Sequence, residues 1–298
     1  MGNRRRLAVL AGVTFGVLLS LGAALGTGDD QGEVIVLPSE SGVWWLGPSQ
    51  AVAEHAAAQA RSVDIRGVGS FTYDPASVRT LRPDLFVDGR FSAFDVLATL
   101  AERGDIQLDY EYDADQATHV VRGINGLEGW WYDVRLPGGT FERTALRMDS
   151  YPIKEGAAIY VYLEDPARLA AIQASFQEEV ARRFTNDGRV IVPVVTIKGP
   201  RSTTTFQDVV VTSHDVRPDL YQPGSITALD VLLSLGDEGK IDGLQLAWHA
   251  TVEDVPNVNH YMADWISIPG AIGEATMSCG YMDSAATEGL RSYLTPHS

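Results

Sequence analysis

Residues 82–106 read RPDLFVDGRFSAFDVLATLAERGDI, and residues 217–241 read RPDLYQPGSITALDVLLSLGDEGKI. A constant shift of 135 aligns the two stretches without a gap, and 12 of the 25 positions are identical. Such self-similarity is the mark of a tandem duplication. Outward from this core the likeness continues with small gaps. VDIRG at 63–67 parallels VTIKG at 195–199, Trp130 pairs with Trp265, and LPG at 136–138 pairs with IPG at 268–270. MDS at 148–150 recurs at 282–284, and Glu155-Gly156 recurs as Glu288-Gly289. One unit therefore runs over residues 62–163 and the other over 192–298.

Each unit has the same local grammar. Ser92 is an N-cap residue; Phe94, Val96, Leu97 and Leu100 follow at helical spacing; Gly104 supplies the stop. Thr227 and Gly239 take these roles in the second copy. Asp95 and Asp230 fall in the first turn, where a carboxylate favours the helix dipole. Around the helix, VDIRGVGSFTYD, IQLDYEYD, THVVRGI, WWYDVRL and AIYVYLE are rich in β-branched and aromatic residues and predict strands. The fold class is α+β: two tandem copies of a mainly antiparallel sheet with one helix. Between them, residues 164–191 predict an amphipathic helix, with Pro166 in its first turn, apolar residues at Leu169, Ile172, Phe176, Val180 and Phe184, and a stop at Asn186–Gly188. A shorter helix is predicted over 49–62, within a linker spanning 28–61.

Residues 1–27 predict export. Arg4, Arg5 and Arg6 precede an uncharged run, LAVLAGVTFGVLLSLGAALG, from Leu7 to Gly26, and Asp29 and Asp30 follow it. This describes either a signal peptide, cleaved after Ala24 or Gly26, or a single transmembrane helix. The flanking charges place the N-terminus inside and the body outside, membrane-anchored or secreted. The net charge of −16 excludes a nucleic-acid binder, which needs clustered Lys and Arg. Cys279 is the single cysteine, so the chain forms no internal disulfide.

These residues carry a resemblance. Ser92-Ala93-Phe94-Asp95-Val96-Leu97, Gly123-Ile124-Asn125-Gly126, Trp130-Trp131-Tyr132 and Asp149-Ser150-Tyr151-Pro152-Ile153-Lys154-Glu155-Gly156 together resemble the DUF4430 domain, related to the C-terminal domain of transcobalamin and intrinsic factor. The second copy keeps Thr227-Ala228-Leu229-Asp230-Val231-Leu232 and Trp265, but lacks the paired tryptophans and the Tyr-Pro-Ile-Lys turn. The resemblance implies an exported, β-rich, surface-located module. In the cobalamin carriers the related domain closes over a corrinoid held by a helical barrel, which is not read in these residues.

Candidate chemistry is sparse. In the aromatic strand Trp130, Trp131 and Tyr132, neighbours point to opposite faces, so one tryptophan can fill the core while the other is presented to a flat ligand or a protein partner. The alternative is that both cover apolar surface, including the linker helix. Tyr151 of the family turn joins them as a candidate contact. In the second copy His249, His260, Met262, Met277, Cys279 and Met282 are ligand types that suit copper. Asp149 and Asp283, in the shared MDS, read as turn carboxylates, with ligand contact the alternative. Asp109, Glu111, Asp113 and Asp115 alternate as a solvent-facing strand edge, or as a calcium site. No hydrolase elbow, zinc-protease pair, phosphate loop or dinucleotide fingerprint is present. The expectation is a non-catalytic, extracytoplasmic binding or scaffold module without cofactor; the alternative is a copper or cobalamin carrier.

Overall fold

A computed structural model describes residues 12–14, 34–36, 61–135, 141–143, 146–198, 203–249 and 260–269. Within them the chain is mixed α+β, with three α-helices and mostly antiparallel strands. Upstream of residue 61 only Gly12–Thr14 (β1) and Val34–Val36 (β2) are described, both extended. The rest of the apolar segment and residues 49–60 of the short predicted helix lie outside the described residues. That helix was expected to reach residue 62, but Arg61 and Ser62 already belong to β3. Among the described residues no helix is long and apolar enough to cross a membrane.

Strands β3 (Arg61–Ile65) and β4 (Gly69–Tyr73) form the first hairpin. Helix α1 (Ala93–Glu102) follows, then the hairpin β5 (Leu108–Asp113) and β6 (Thr118–Ile124). Strands β7 (Trp130–Arg135), β8 (Phe141–Arg143) and β9 (Ala158–Leu163) complete a five-stranded sheet of order β4-β3-β9-β7-β8. The pairing of β3 with β9 is parallel. The unit therefore departs from a single antiparallel sheet: the main sheet is mixed, and β5–β6 stands apart as a two-stranded ribbon.

Alternation along these strands sets the core. Val63, Ile65, Tyr132, Val134, Ile159 and Val161 are register partners or neighbours on one face, and all are buried in one cluster with α1. Helix α1 is buried from Ala93 to Leu100: six of these residues are apolar, and the two polar ones, Asp95 and Thr99, are satisfied by local hydrogen bonds. Its N-terminus carries a capping box. The Asp95 carboxylate accepts from the Ser92 backbone N–H and from its hydroxyl, both at 2.7 Å, and Ser92 Oγ accepts from the Asp95 N–H at 3.1 Å. At the C-terminus Gly104 adopts φ +80°; its N–H reaches Ala101 O and the Asp105 N–H reaches Leu100 O, a Schellman closure.

Helix α2 (Pro166–Thr185) starts on Asp165 and ends at Asn186, as the sequence predicts. Its buried stripe is Ile172, Phe176 and Glu179, which differs from the predicted apolar line. Val180 is only half-buried and Phe184 is 85% exposed. The stripe covers the face of β7 opposite α1.

Strands β10 (Val190–Lys198) and β11 (Thr203–Val211), helix α3 (Ala228–Asp237), and strands β12 (Gly243–His249) and β13 (His260–Ser267) form a second core. Helix α3 repeats the cap chemistry of α1: Asp230 accepts from the Thr227 N–H at 2.5 Å and its hydroxyl at 2.7 Å, and Gly239 and Lys240 close the same Schellman pattern. The two RPDL segments meet. Phe86 and Tyr221 form an antiparallel bridge with stacked rings, centroids 5.6 Å apart. The Val87 N–H donates to Leu220 O at 3.1 Å and the Gln222 N–H to Leu85 O at 2.8 Å. A shift of 135 converts each of these bonds into the other.

Candidate functional site

A cleft of about 450 Å3 opens where the β5–β6 ribbon, the start of β7 and α2 converge. That volume is in the range of small-molecule sites. Its walls include His119, Trp130, Trp131, Arg147, Gln173 and Phe176.

The tryptophans of β7 are held from both sides. Trp130 shares the α1-facing side with Tyr132, and its indole N–H donates to Leu127 O at 2.7 Å. Trp131 lies on the other side, under α2, with Phe176 at 6.4 Å between centroids. Only 4% of Trp130 and 5% of Trp131 is exposed. Of the two readings of the aromatic strand, the structure follows the one in which both tryptophans cover apolar surface, including the linker helix: α2 lies over the outer face, so neither ring is presented to solvent and the alternation of the strand separates two buried environments. Both tryptophans still contribute to the cleft wall. Tyr132 is fully buried, its hydroxyl donating to Leu146 O at 3.2 Å. Tyr151 is buried against it at 6.2 Å. These two support the cleft from inside the core and do not line it.

The sequence reading missed the polar groups beneath the aromatic strand. Asp149 is fully buried, and the reading of it as a turn carboxylate is incomplete. It accepts from Arg82 Nη1 at 2.8 Å, Thr118 Oγ1 at 2.6 Å, the His119 N–H at 2.7 Å, Ser150 Oγ at 3.2 Å, and pairs with His119 Nδ1 at 3.3 Å. Burial opposes its charge, but the bonds from His119, the Arg82 charge and the Thr118 hydroxyl outweigh burial and hold its pKa below the ordinary carboxylate range. Arg82, the first residue of RPDL, is 1% exposed and divides its guanidinium between Asp149 and Asp84. The His119 ring stacks on Phe94 at 4.9 Å, and Tyr112 and Tyr110 cover its edges. Among the described residues no hydroxyl or thiol is hydrogen-bonded to His119 Nε2; the side-chain bond of the ring is that of Nδ1 to Asp149.

Arg147 is the other missed residue. Its side chain is 3% exposed, its guanidinium lies 4.5 Å over the Phe176 ring, and Nη1 reaches Glu179 Oε2 at a long 3.4 Å. Burial works against both charges, lowering the pKa of Arg147 and raising that of Glu179, although each is drawn back by the other. Among the described residues the remaining donors of Arg147, Nε and Nη2, have no hydrogen-bond partner. Only a three-dimensional contact reveals such a site, since Arg147 and Glu179 are 32 residues apart.

The second candidate set is only partly described. His249 and His260 are directly opposite in the β12–β13 register, and Met262 follows in β13. Met277, Cys279, Met282 and Asp283 lie outside the described residues. Among the described residues no group of three or more His, Cys, Asp or Glu could hold a metal. In the acidic strand, Glu111 pairs with Arg122, and Asp113 accepts from Gln116 N at 3.0 Å and Nε2 at 2.8 Å. A residue that went unnoticed in the second unit is His214, whose ring bridges Asp230 at 3.1 Å and Asp237 at 2.9 Å.

No protein-family model, curated protein or solved structure matches the chain, so the geometry of the cleft carries its functional reading.

Proposed function

We propose that this chain is an exported, non-catalytic binding module, secreted or tethered through residues 7–26, in which two copies of a DUF4430-like unit dock on each other and the first copy holds a small ligand. The observation that carries the reading is the cleft, formed where the linker helix closes over the aromatic strand. Duplication is supported by the 135-residue shift, by matching capping boxes and Schellman closures on α1 and α3, and by the paired RPDL segments. The aromatic walls and amide-bearing helix suit recognition, and the buried carboxylates are consumed by structural pairs. A protein partner on the same face is the related scaffold reading, as an accessory subunit of a surface complex.

The test is a ligand-observed NMR screen of a fragment library against the purified full-length chain, repeated with Gln173→Trp, which fills the cleft from α2. Hits that disappear in the variant are expected. An equal hit list for both proteins means that the cleft binds nothing, and turnover of hydrolase or redox substrates means that the module is an enzyme.

One observation favours a second reading, a copper carrier: the β12–β13 register sets His249 directly opposite His260, two residues of a type that copper takes as ligands. Elemental analysis of protein purified from its native membrane tests it; metal-free protein removes it, and colourless protein removes the corrinoid variant.

A further inference from the structure

We infer that the ligand of the first copy's cleft is a small organic acid, bound through its carboxylate to the unpartnered edge of Arg147. The inference rests on the binding reading above and adds the ligand's chemical class.

The guanidinium of arginine offers its N–H groups in pairs, and Nε with Nη2 forms one two-pronged edge that matches the two oxygens of a carboxylate. In Arg147 that edge is the part without partners, while Nη1 is engaged by Glu179. A buried arginine with a vacant fork is uncommon, because a buried donor left unbonded destabilises the fold. Compare Arg82 in the same unit, where the equivalent edge is filled by Asp84 through Nε at 2.9 Å and Nη2 at 2.9 Å. Arg217 in the second unit fills the same edge with Asp219 at 2.8 Å and 2.8 Å. Both structural arginines therefore take a carboxylate on this edge, and Arg147, which lines the cleft, lacks one.

The surroundings narrow the class further. Arg147 is the buried cation of the cleft lining; Arg122 also lines the cleft, paired with Glu111, and Asp113 and Glu128 stand on its walls. With Glu179 on Nη1, the vacant edge of Arg147 offers a single two-pronged contact, which fits one carboxylate. Trp130, Trp131 and Phe176 supply flat apolar surface for the rest of the molecule, and Gln173 and Gln177 supply amides that can bond its polar substituents. The second copy lacks the paired tryptophans and has no matching feature at the equivalent of Arg147, so the site belongs to one copy alone.

The experiment titrates the full-length chain with matched pairs of aromatic acids and their primary amides, indole-3-acetate with indole-3-acetamide and phenylacetate with phenylacetamide, together with the acidic and neutral halves of the fragment library. Binding is read by ligand-observed NMR in wild type, Arg147→Lys and Gln173→Trp. The inference expects acids to be enriched among the cleft hits and to bind at least about tenfold tighter than matched amides. Arg147→Lys, which keeps the charge and loses the fork, is expected to remove most of that preference, and Gln173→Trp to abolish binding. Neutral fragments that bind as well as acids, and are displaced by Gln173→Trp, overturn the inference and leave the binding cleft standing. Absence of any hit sensitive to Gln173→Trp overturns both. If Arg147→Lys fails to fold, as circular dichroism would show, the acid-to-amide ratio in wild type decides alone.

Discussion

Replacing Asp149 by alanine tests the claim that this carboxylate holds the first unit together. In the native state it is fully buried and accepts bonds from Arg82, Thr118, the His119 backbone and Ser150, with the His119 ring alongside. Breaking a buried ion pair from one side costs about 3–5 kcal/mol, because the other charge is left behind. Arg82 keeps Asp84 on its other edge, which lowers that figure, whereas the stranded His119 N–H and Thr118 hydroxyl raise it. A loss of about 3 kcal/mol follows, and Asp149→Asn, which preserves shape and one carbonyl oxygen, is expected to lose roughly 2 kcal/mol. Urea denaturation at neutral pH measures the difference, and hydrogen exchange at the His119 and Phe94 amides localises it to the first unit. The pH dependence has a fixed sign. The native pKa is depressed, so the stabilisation is complete above the ordinary carboxylate value of about 3.9 and is lost as pH falls through the lower native value. The advantage of wild type over Asp149→Ala should therefore persist at pH 5 and shrink only in strong acid. A loss below about 1 kcal/mol at pH 7 would refute the reasoning.

His214 acts with the opposite sign: although burial opposes its protonation, bonds to Asp230 and Asp237 outweigh burial and raise its pKa. Its stabilisation is complete below about pH 6.5 and fades as pH rises through the raised native value, so His214→Gln should cost roughly 1 kcal/mol at pH 6 and little at pH 9, by denaturant titration. Gly104→Ala should destabilise by about 1 kcal/mol because φ is +80° there, whereas Gly236→Ala, inside α3 with its new methyl 3.8 Å from Ile241, should stabilise by up to about 1 kcal/mol. Thermal melts that move in the same direction for both would contradict the two backbone assignments. Phe86→Ala and Tyr221→Ala should each release the bridge between the RPDL segments, seen as faster exchange at Val87 and Gln222, and a double-mutant cycle should return a coupling of roughly 1 kcal/mol. Additive effects would mean that the rings do not interact.

Local chemistry was legible in the sequence. The caps at Ser92 and Thr227, the stops at Gly104 and Gly239, the span of α2 and most strands are written in spacings of two to four residues, and the structure follows them. Asn125-Gly126, which entered the sequence reading only through the family resemblance, has φ of +50° and +78° and makes the tight turn between Ile124 and Leu127 that leads the chain from β6 toward β7. What was hidden needed partners far along the chain. Parallel pairing of β3 with β9 joins residues almost 100 positions apart, and no local pattern encodes it. Alternation in β7 left two readings open, one tryptophan exposed or both covering apolar surface beneath the linker helix; with α1 on one face and α2 on the other the second holds, and Trp130 and Trp131 are both enclosed. Asp149 looked like a turn residue because the donors that claim its carboxylate come from residues 82, 118 and 119. Arg147 carried no signal at all, since its distinguishing property is a bond that it does not make.

The bridge between the RPDL segments has a consequence for oligomerisation. Its backbone bonds are two-fold related, so by themselves they would let any RPDL segment join any other, including one on a neighbouring chain. The side chains break that symmetry. Gln222 Nε2 donates to Phe86 O at 3.0 Å, but its counterpart is Val87, which has no side-chain amide; Arg90 Nε donates to Asp219 O at 2.9 Å, but its counterpart is Ser225. Two first segments facing each other would exchange the glutamine bond for a second arginine bond, and two second segments the reverse, so the number of side-chain bonds does not choose between like and unlike pairing. What favours the pairing within the chain is linkage: the sibling segment is held at an effective concentration that a segment on a separate chain does not reach.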